Sequence, residues 1–142
     1  MSILAIVGPL LLIAALVVAL VAFGQWRDRK IERIFAATRQ DGARAHAPCM
    51  LRVFGLQCPA VALATNDELI LHSIFGNVRR IPLAHIVLKQ ETPGTGRSGW
   101  WDKRMFHLEC PEEPVLVLGF ADPATWRQVF QPRPLASKQS PP

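Results

Sequence analysis

Hydrophobic and polar positions divide the chain into two unlike parts. Ile3 to Phe23 reads ILAIVGPLLLIAALVVALVAF without a single charge, and the first charged residue of the chain is Arg27. At about 1.5 Å per residue such a helix is long enough to cross a hydrocarbon core of ~30 Å. The run predicts a transmembrane anchor over residues 1–24. Gly8 and Pro9 lie near its start, as a kink or a first turn, and neither disqualifies a membrane helix. A cleaved signal peptide fits less well, because only Met1 and Ser2 precede the run and Ala22-Phe23-Gly24 is an indifferent cleavage site. A core helix fits poorly too, since so small a domain cannot cover it on all sides.

A charged stalk follows over residues 25–45. Ile31, Ile34 and Phe35 recur at helical spacing, with Arg29, Lys30, Glu32 and Arg33 on the other faces. The preferred reading is a continuation of the membrane helix that packs on the soluble part and ends near Asp41-Gly42. The other is an amphipathic segment lying on anionic lipid.

From Pro48 onward the apolar runs shorten and turn signals recur, as in an all-β sandwich or barrel. Strands are expected at Met50–Phe54, Pro59–Ala64, Glu68–Phe75, Val78–Ile81 and His85–Gln90, with turns at Thr65-Asn66-Asp67 and Gly76-Asn77. Thr92–Gly99 (TPGTGRSG) reads as a flexible loop. In the strand that follows, Trp100 to Cys110, Phe106, Leu108 and Cys110 alternate with Met105, His107 and Glu109, the period of a strand with one buried face. After the turn Pro111–Pro114, Val115–Phe120 reads as a buried strand. A last helix begins at Asp122-Pro123, with Asp122 as cap and Trp126, Val129 and Phe130 on one face; Pro132 stops it. Residues 132–142 are polar and Pro-rich and read as disordered.

Charge then gives the anchor a direction. The net charge is +5, and residues 25–45 hold six basic against three acidic side chains. That cluster follows the helix directly, so the positive-inside rule places the C-terminal part in the cytoplasm and the N-terminus outside. Trp26, Arg27, Arg29 and Lys30 are the expected membrane-interface residues. The remaining charges nearly balance, which argues against nucleic acid as a partner. Three cysteines, Cys49, Cys58 and Cys110, are a poor disulfide framework and suit a reducing compartment.

The segments Leu63-Ala64-Thr65-Asn66-Asp67-Glu68-Leu69-Ile70-Leu71 and Val78-Arg79-Arg80-Ile81-Pro82-Leu83-Ala84-His85-Ile86, with the closing Asp122-Pro123 and Trp126, resemble bacterial pleckstrin-homology-like (PH-like, GRAM-like) domains. The resemblance covers roughly Pro48 to Phe130. It implies a mainly β fold with α: a small PH-like barrel over residues 46–131, closed by a C-terminal helix. Such domains bind lipids, bind proteins or act as scaffolds, so function does not follow from fold.

Candidate chemistry is sparse. His46, Cys49 and Cys58 are the nearest approach to a metal set, but no second short-spaced pair joins them, and His107 and Cys110 are distant. The chain has no Gly-x-Ser-x-Gly elbow, and Gly94-Thr95-Gly96 lacks the Lys-Ser/Thr ending of a phosphate loop. No enzyme, cofactor or metal is therefore expected. A basic and aromatic group stands out instead: Arg79, Arg80, Arg97, Trp100, Trp101, Lys103 and Arg104. At one rim of a barrel these would contact a protein or anionic headgroups; otherwise the Trp residues are core and the charges solvated. The expectation is a non-catalytic interaction or scaffold module on the cytoplasmic face of a bacterial inner membrane, an accessory subunit of a membrane complex being one form of it. Anionic lipid recognition by the basic rim is its alternative, and a Cys/His site a third reading.

Overall fold

A computed structural model of the chain describes residues 2–53, 55–94, 103–111 and 115–131. Helix α1 runs without a break from Ile3 to Ala37. Strands β1 (Ala45–Val53), β2 (Leu56–Ala64), β3 (Glu68–Ser73), β4 (Val78–Pro82), β5 (Val87–Pro93), β6 (Arg104–Glu109) and β7 (Leu116–Phe120) follow, and α2 (Pro123–Phe130) is the last described element. A short 3-10 turn, Leu83–His85, joins β4 to β5.

All seven strands form one antiparallel sheet in the order β4-β3-β2-β1-β7-β6-β5. It curls into a half-barrel. Cys49 and Leu51 of β1, Ala60 and Ala62 of β2, Leu69 and Leu71 of β3, Phe106 and Leu108 of β6, and Leu118 and Phe120 of β7 share one buried core. These residues alternate along their strands, so every second side chain faces inward. Ala60, Ala62 and Ala64 of β2 are fully buried on this inner face. Helix α2 fills one end. Trp126 stacks on Phe120 with ring centroids 4.1 Å apart, and Phe130 lies 5.7 Å from Phe106.

A second, smaller cluster forms on the outer face. Ile31 of α1 is 3% exposed and packs with Met50, Val61 and Ile74. Phe35 stacks on His46 at 4.2 Å. The Thr38 hydroxyl donates to the Ile34 carbonyl at 2.7 Å and lies 2.8 Å from His46 Nε2. Because its one proton is committed to Ile34, the ring nitrogen is the donor to Thr38 Oγ.

Several expectations are corrected in detail. Helix α1 ends at Ala37 rather than near Asp41-Gly42, because Thr38 turns back on the last carbonyls and binds His46. Pro9 lies more than a turn inside α1, not in its first turn. Strand β1 starts at Ala45, five residues before Met50, because its whole length pairs with β2. Strand β2 begins at Leu56, β3 stops at Ser73 and β4 reaches Pro82. The 3-10 turn delays β5 to Val87, and its pairing with β6 carries it to Pro93, into the segment read as loop. Strand β6 starts only at Arg104. Asp122 makes no side-chain cap; its carboxylate accepts the Thr125 hydroxyl at 2.7 Å instead. The turn at Gly76 is as expected, with φ +88°. The Pro111–Pro114 turn and the 132–142 tail lie largely or wholly outside the described residues.

Trp126 is the largest fully buried side chain and the keystone of α2. Trp126→Ala is expected to lower stability by about 3–5 kcal/mol, as truncation of buried aromatic side chains does. Urea unfolding of the detergent-solubilised chain measures this; a loss below ~1 kcal/mol would mean that α2 does not hold the barrel closed.

Candidate functional site

Antiparallel pairing gives the half-barrel two distinct ends. The β2–β3 turn, the β5–β6 connection and α2 lie at one. The β1–β2, β3–β4 and β6–β7 turns lie at the other, which is open among the described residues.

At the open end is a cavity of about 440 Å³. Leu51 and Leu71 form its floor, and Leu56 and Phe75 stand on its rim, 75% and 66% exposed. Its polar groups are Gln57, Cys58, Ser73, Asn77 and Arg79. Ser73 Oγ accepts the Phe75 amide at 3.1 Å and lies 3.7 Å from Cys58 Sγ. Among the described residues no His, Asp or Glu lines this cavity to deprotonate Cys58. Such a site suits an apolar or amphipathic occupant better than covalent chemistry.

The described members of the expected basic rim do not share one surface. Arg79 and Arg80 are neighbours on β4 and so point to opposite faces. Arg79 lines the cavity, whereas Arg80 lies outside and pairs with Glu68 at 2.8 Å. Lys103 and Arg104 lie at the other end of the barrel, where the β5–β6 connection meets β6. Arg97, Trp100 and Trp101 lie outside the described residues. The structure therefore separates Arg79 from Lys103 and Arg104.

Arg104 has a structural partner. Its Nε donates to Glu91 Oε1 at 3.0 Å, and Arg127 grips the same carboxylate with both Nε (2.8 Å) and Nη2 (2.6 Å). This three-residue lock ties β5 and β6 to α2. The Arg127 hydrogen bonds, with help from Arg104, hold the Glu91 carboxyl down at about 2.

The trio His46, Cys49 and Cys58 is split as well. His46 faces outward against α1, whereas Cys49 is buried in the inner core. Burial pushes the Cys49 thiol up, and the neighbouring Cys58 adds to this. Among the described residues no three His, Cys, Asp or Glu side chains form a metal-binding group.

On α1, Trp26 and its neighbours form a compact belt. Lys30 Nζ lies 5.0 Å from the Trp26 ring, Phe23 packs 5.6 Å from it, and Arg27 pairs with Asp28 at 3.2 Å. Arg29 lines the helix face beside Trp26. The apolar stretch before this belt buries none of its side chains against the sheet. The described chain contains one helix long and apolar enough to cross a membrane. Comparison with protein families, curated proteins and solved structures finds no match. The site is therefore read from its own geometry.

The cavity is the feature that sequence reasoning missed. Phe75 ends a run that reads as strand and Leu56 falls between two such runs; the folded chain exposes Phe75 in the β3–β4 turn and Leu56 at the start of β2. Asn77 and Gly76 signalled the turn itself.

Two pH dependences follow. Glu91 is depressed from an ordinary 4.5, so its contribution is fully present above 4.5 and is lost as pH falls through about 2. Glu91→Gln should therefore be less stable than the parent at neutral pH but lose less stability between pH 4.5 and 2, as read by urea midpoints across pH. Equal slopes in the two proteins would discount the lock.

His46 is also depressed, first by burial and then by His72 and Arg39. Its contribution is present above the ordinary 6.5 and declines as pH falls below it. His46→Gln, which keeps a donor for Thr38, should flatten stability just below pH 6.5. An unchanged curve would show that the ring titrates as freely in the folded chain as in the unfolded one.

Proposed function

We propose that this chain is a single-pass, membrane-anchored and non-catalytic interaction module. The apolar part of α1 spans a bacterial inner membrane, and a PH-like half-barrel is held at the cytoplasmic face to bind a protein partner. The observation that carries this reading is the continuity of α1. One helix joins a wholly uncovered apolar stretch to a stripe (Ile31, Phe35, Thr38) that docks on the sheet. Uncovered apolar side chains of that length are stable only where lipid surrounds them. The basic belt at Arg27, Arg29 and Lys30 supports the orientation through the positive-inside rule.

Two observations support binding over catalysis. The cavity presents Cys58 and Ser73 without a general base among the described residues, and Cys49, with its raised thiol, is sealed in the core. The strand order and the capping helix support the PH-like reading of the barrel. Headgroup recognition by a basic rim is disfavoured, because Arg80 and Arg104 are engaged by Glu68 and Glu91 and stand apart from Arg79.

Extraction of the full chain from its own membrane in mild detergent, with mass spectrometry of the co-purifying proteins, tests this reading. A stoichiometric partner that survives a salt wash is the expected result. A chain that is recovered alone, with intact folding by circular dichroism, would sink the module reading.

A further inference from the structure

The half-barrel carries two separate apolar clusters. The inner one, filled at one end by α2, holds the sheet in shape. The outer one is small: Ile31 of α1 on Met50, Val61 and Ile74, with Ile34 at its margin. Lifting α1 from the sheet therefore breaks the outer cluster and leaves the inner one whole.

Two histidines stand on the outer face beside this seat. His46 of β1 pairs with Leu63 of β2, and His72 of β3 pairs with Val61, two residues before Leu63. Paired residues share a face, so the two rings lie on the same side, diagonally across β2. Phe35 stacks on His46, and Thr38 accepts its Nε2 hydrogen. The charges that bear on the rings are cationic. Arg39, directly after Thr38, bears on His46 together with His72, and Arg80 of β4 bears on His72. From β2 the facing residues are the apolar Val61 and Leu63. Glu68, on the same face of β3, is already engaged by Arg80 at 2.8 Å.

We infer that the seat of α1 is an acid-released joint, in which protonation of His46 and His72 drives the helix off the outer face while the barrel stays folded. Nε2 of His46 already carries its hydrogen, so acid adds the second proton at Nδ1 and leaves the Thr38 hydrogen bond in place. What acid brings is charge, set beside Arg39 and a second protonated ring in a half-buried joint. Burial comes first in disfavouring the charged form of each ring, and the neighbouring cations add to it. Each docked ring thus binds its proton less readily than a released one. Docking is at full strength above the ordinary 6.5 and weakens as pH falls below it. One ring lowers the docked-to-released ratio by at most about tenfold per pH unit, and two multiply. Once released, the sheet hangs on residues 38–44, with Met50, Val61 and Ile74 uncovered.

The test reads the helix-to-sheet distance by pulsed electron resonance. Nitroxides on ketone-bearing phenylalanines replace Ala36 of α1 and Gln90 of β5, both exposed, in the full chain in detergent micelles, and the cysteines stay native. One narrow distance is expected at about pH 7.5. A broad second population should grow below pH 6.5 and vanish on return, with the far-ultraviolet circular dichroism unchanged. His46→Gln with His72→Gln should keep the distance narrow down to about pH 5. A parent that stays narrow to that pH overturns the inference. So does a broadening that the double variant shares, and so does loss of the strand signal in step with the release. Arg39→Gln is a milder second variant that leaves both rings in place. It removes one repelling cation and should move the release to lower pH; a release that does not move overturns the inference.

Discussion

Everything in this molecule hangs on the seating of Ile31 between Met50, Val61 and Ile74. It is a small apolar contact, but it joins two unlike parts of the chain, an uncovered apolar stretch and a packed sheet. Towards the N-terminus α1 is apolar on every face. Towards the C-terminus it has one apolar stripe and a polar remainder, as a helix at a globular surface does. Phe35 on His46, and His46 on Thr38, extend the contact and end the helix in the same stroke. Without that seat the sheet would hang on a tether. With it, the sheet has a fixed bearing on the helix.

The barrel has to solve a related problem, because its curled sheet is not closed by strand pairing between β4 and β5. Helix α2 provides the closure from inside, through the Phe106, Phe120, Trp126 and Phe130 cluster. Glu91 adds a polar clasp at the same end, where one carboxylate holds guanidinium groups from β6 and α2. Bidentate pairs of this kind add geometric definition as much as energy. Among the described residues the opposite end receives no helix and no clasp. That asymmetry, one end sealed and one end open, leaves an apolar cavity in so small a fold.

Much of this was legible in the chain. The long apolar helix follows from a charge-free run, and the positions of β2, β3, β4 and β7 along the chain follow from short apolar stretches between turn residues. Two failures are instructive. The start of β1, Ala45-His46-Ala47-Pro48, carries little strand propensity, and only pairing with Ala64 back to Val61 makes it a strand. Grouping Arg79 with Arg80 failed for a reason available beforehand. Adjacent residues on a strand cannot share a face, so Arg79 and Arg80 were never candidates for one patch. The cavity, by contrast, depends on how far the hairpins of β1–β2 and β3–β4 reach past one another, and no local pattern records that.

A helix of 35 residues with no interruption is also a lever about 50 Å long. If its apolar arm spans a bilayer, as proposed, that arm answers to the bilayer's thickness, since a span longer than the hydrocarbon layer tilts to fit. Its other arm is bolted to the sheet. Any tilt that a thinner membrane imposes on the first arm is passed to the second, swinging the barrel towards or away from the lipid surface. Membrane thickness would then set how the domain is presented, with no ligand and no change of fold.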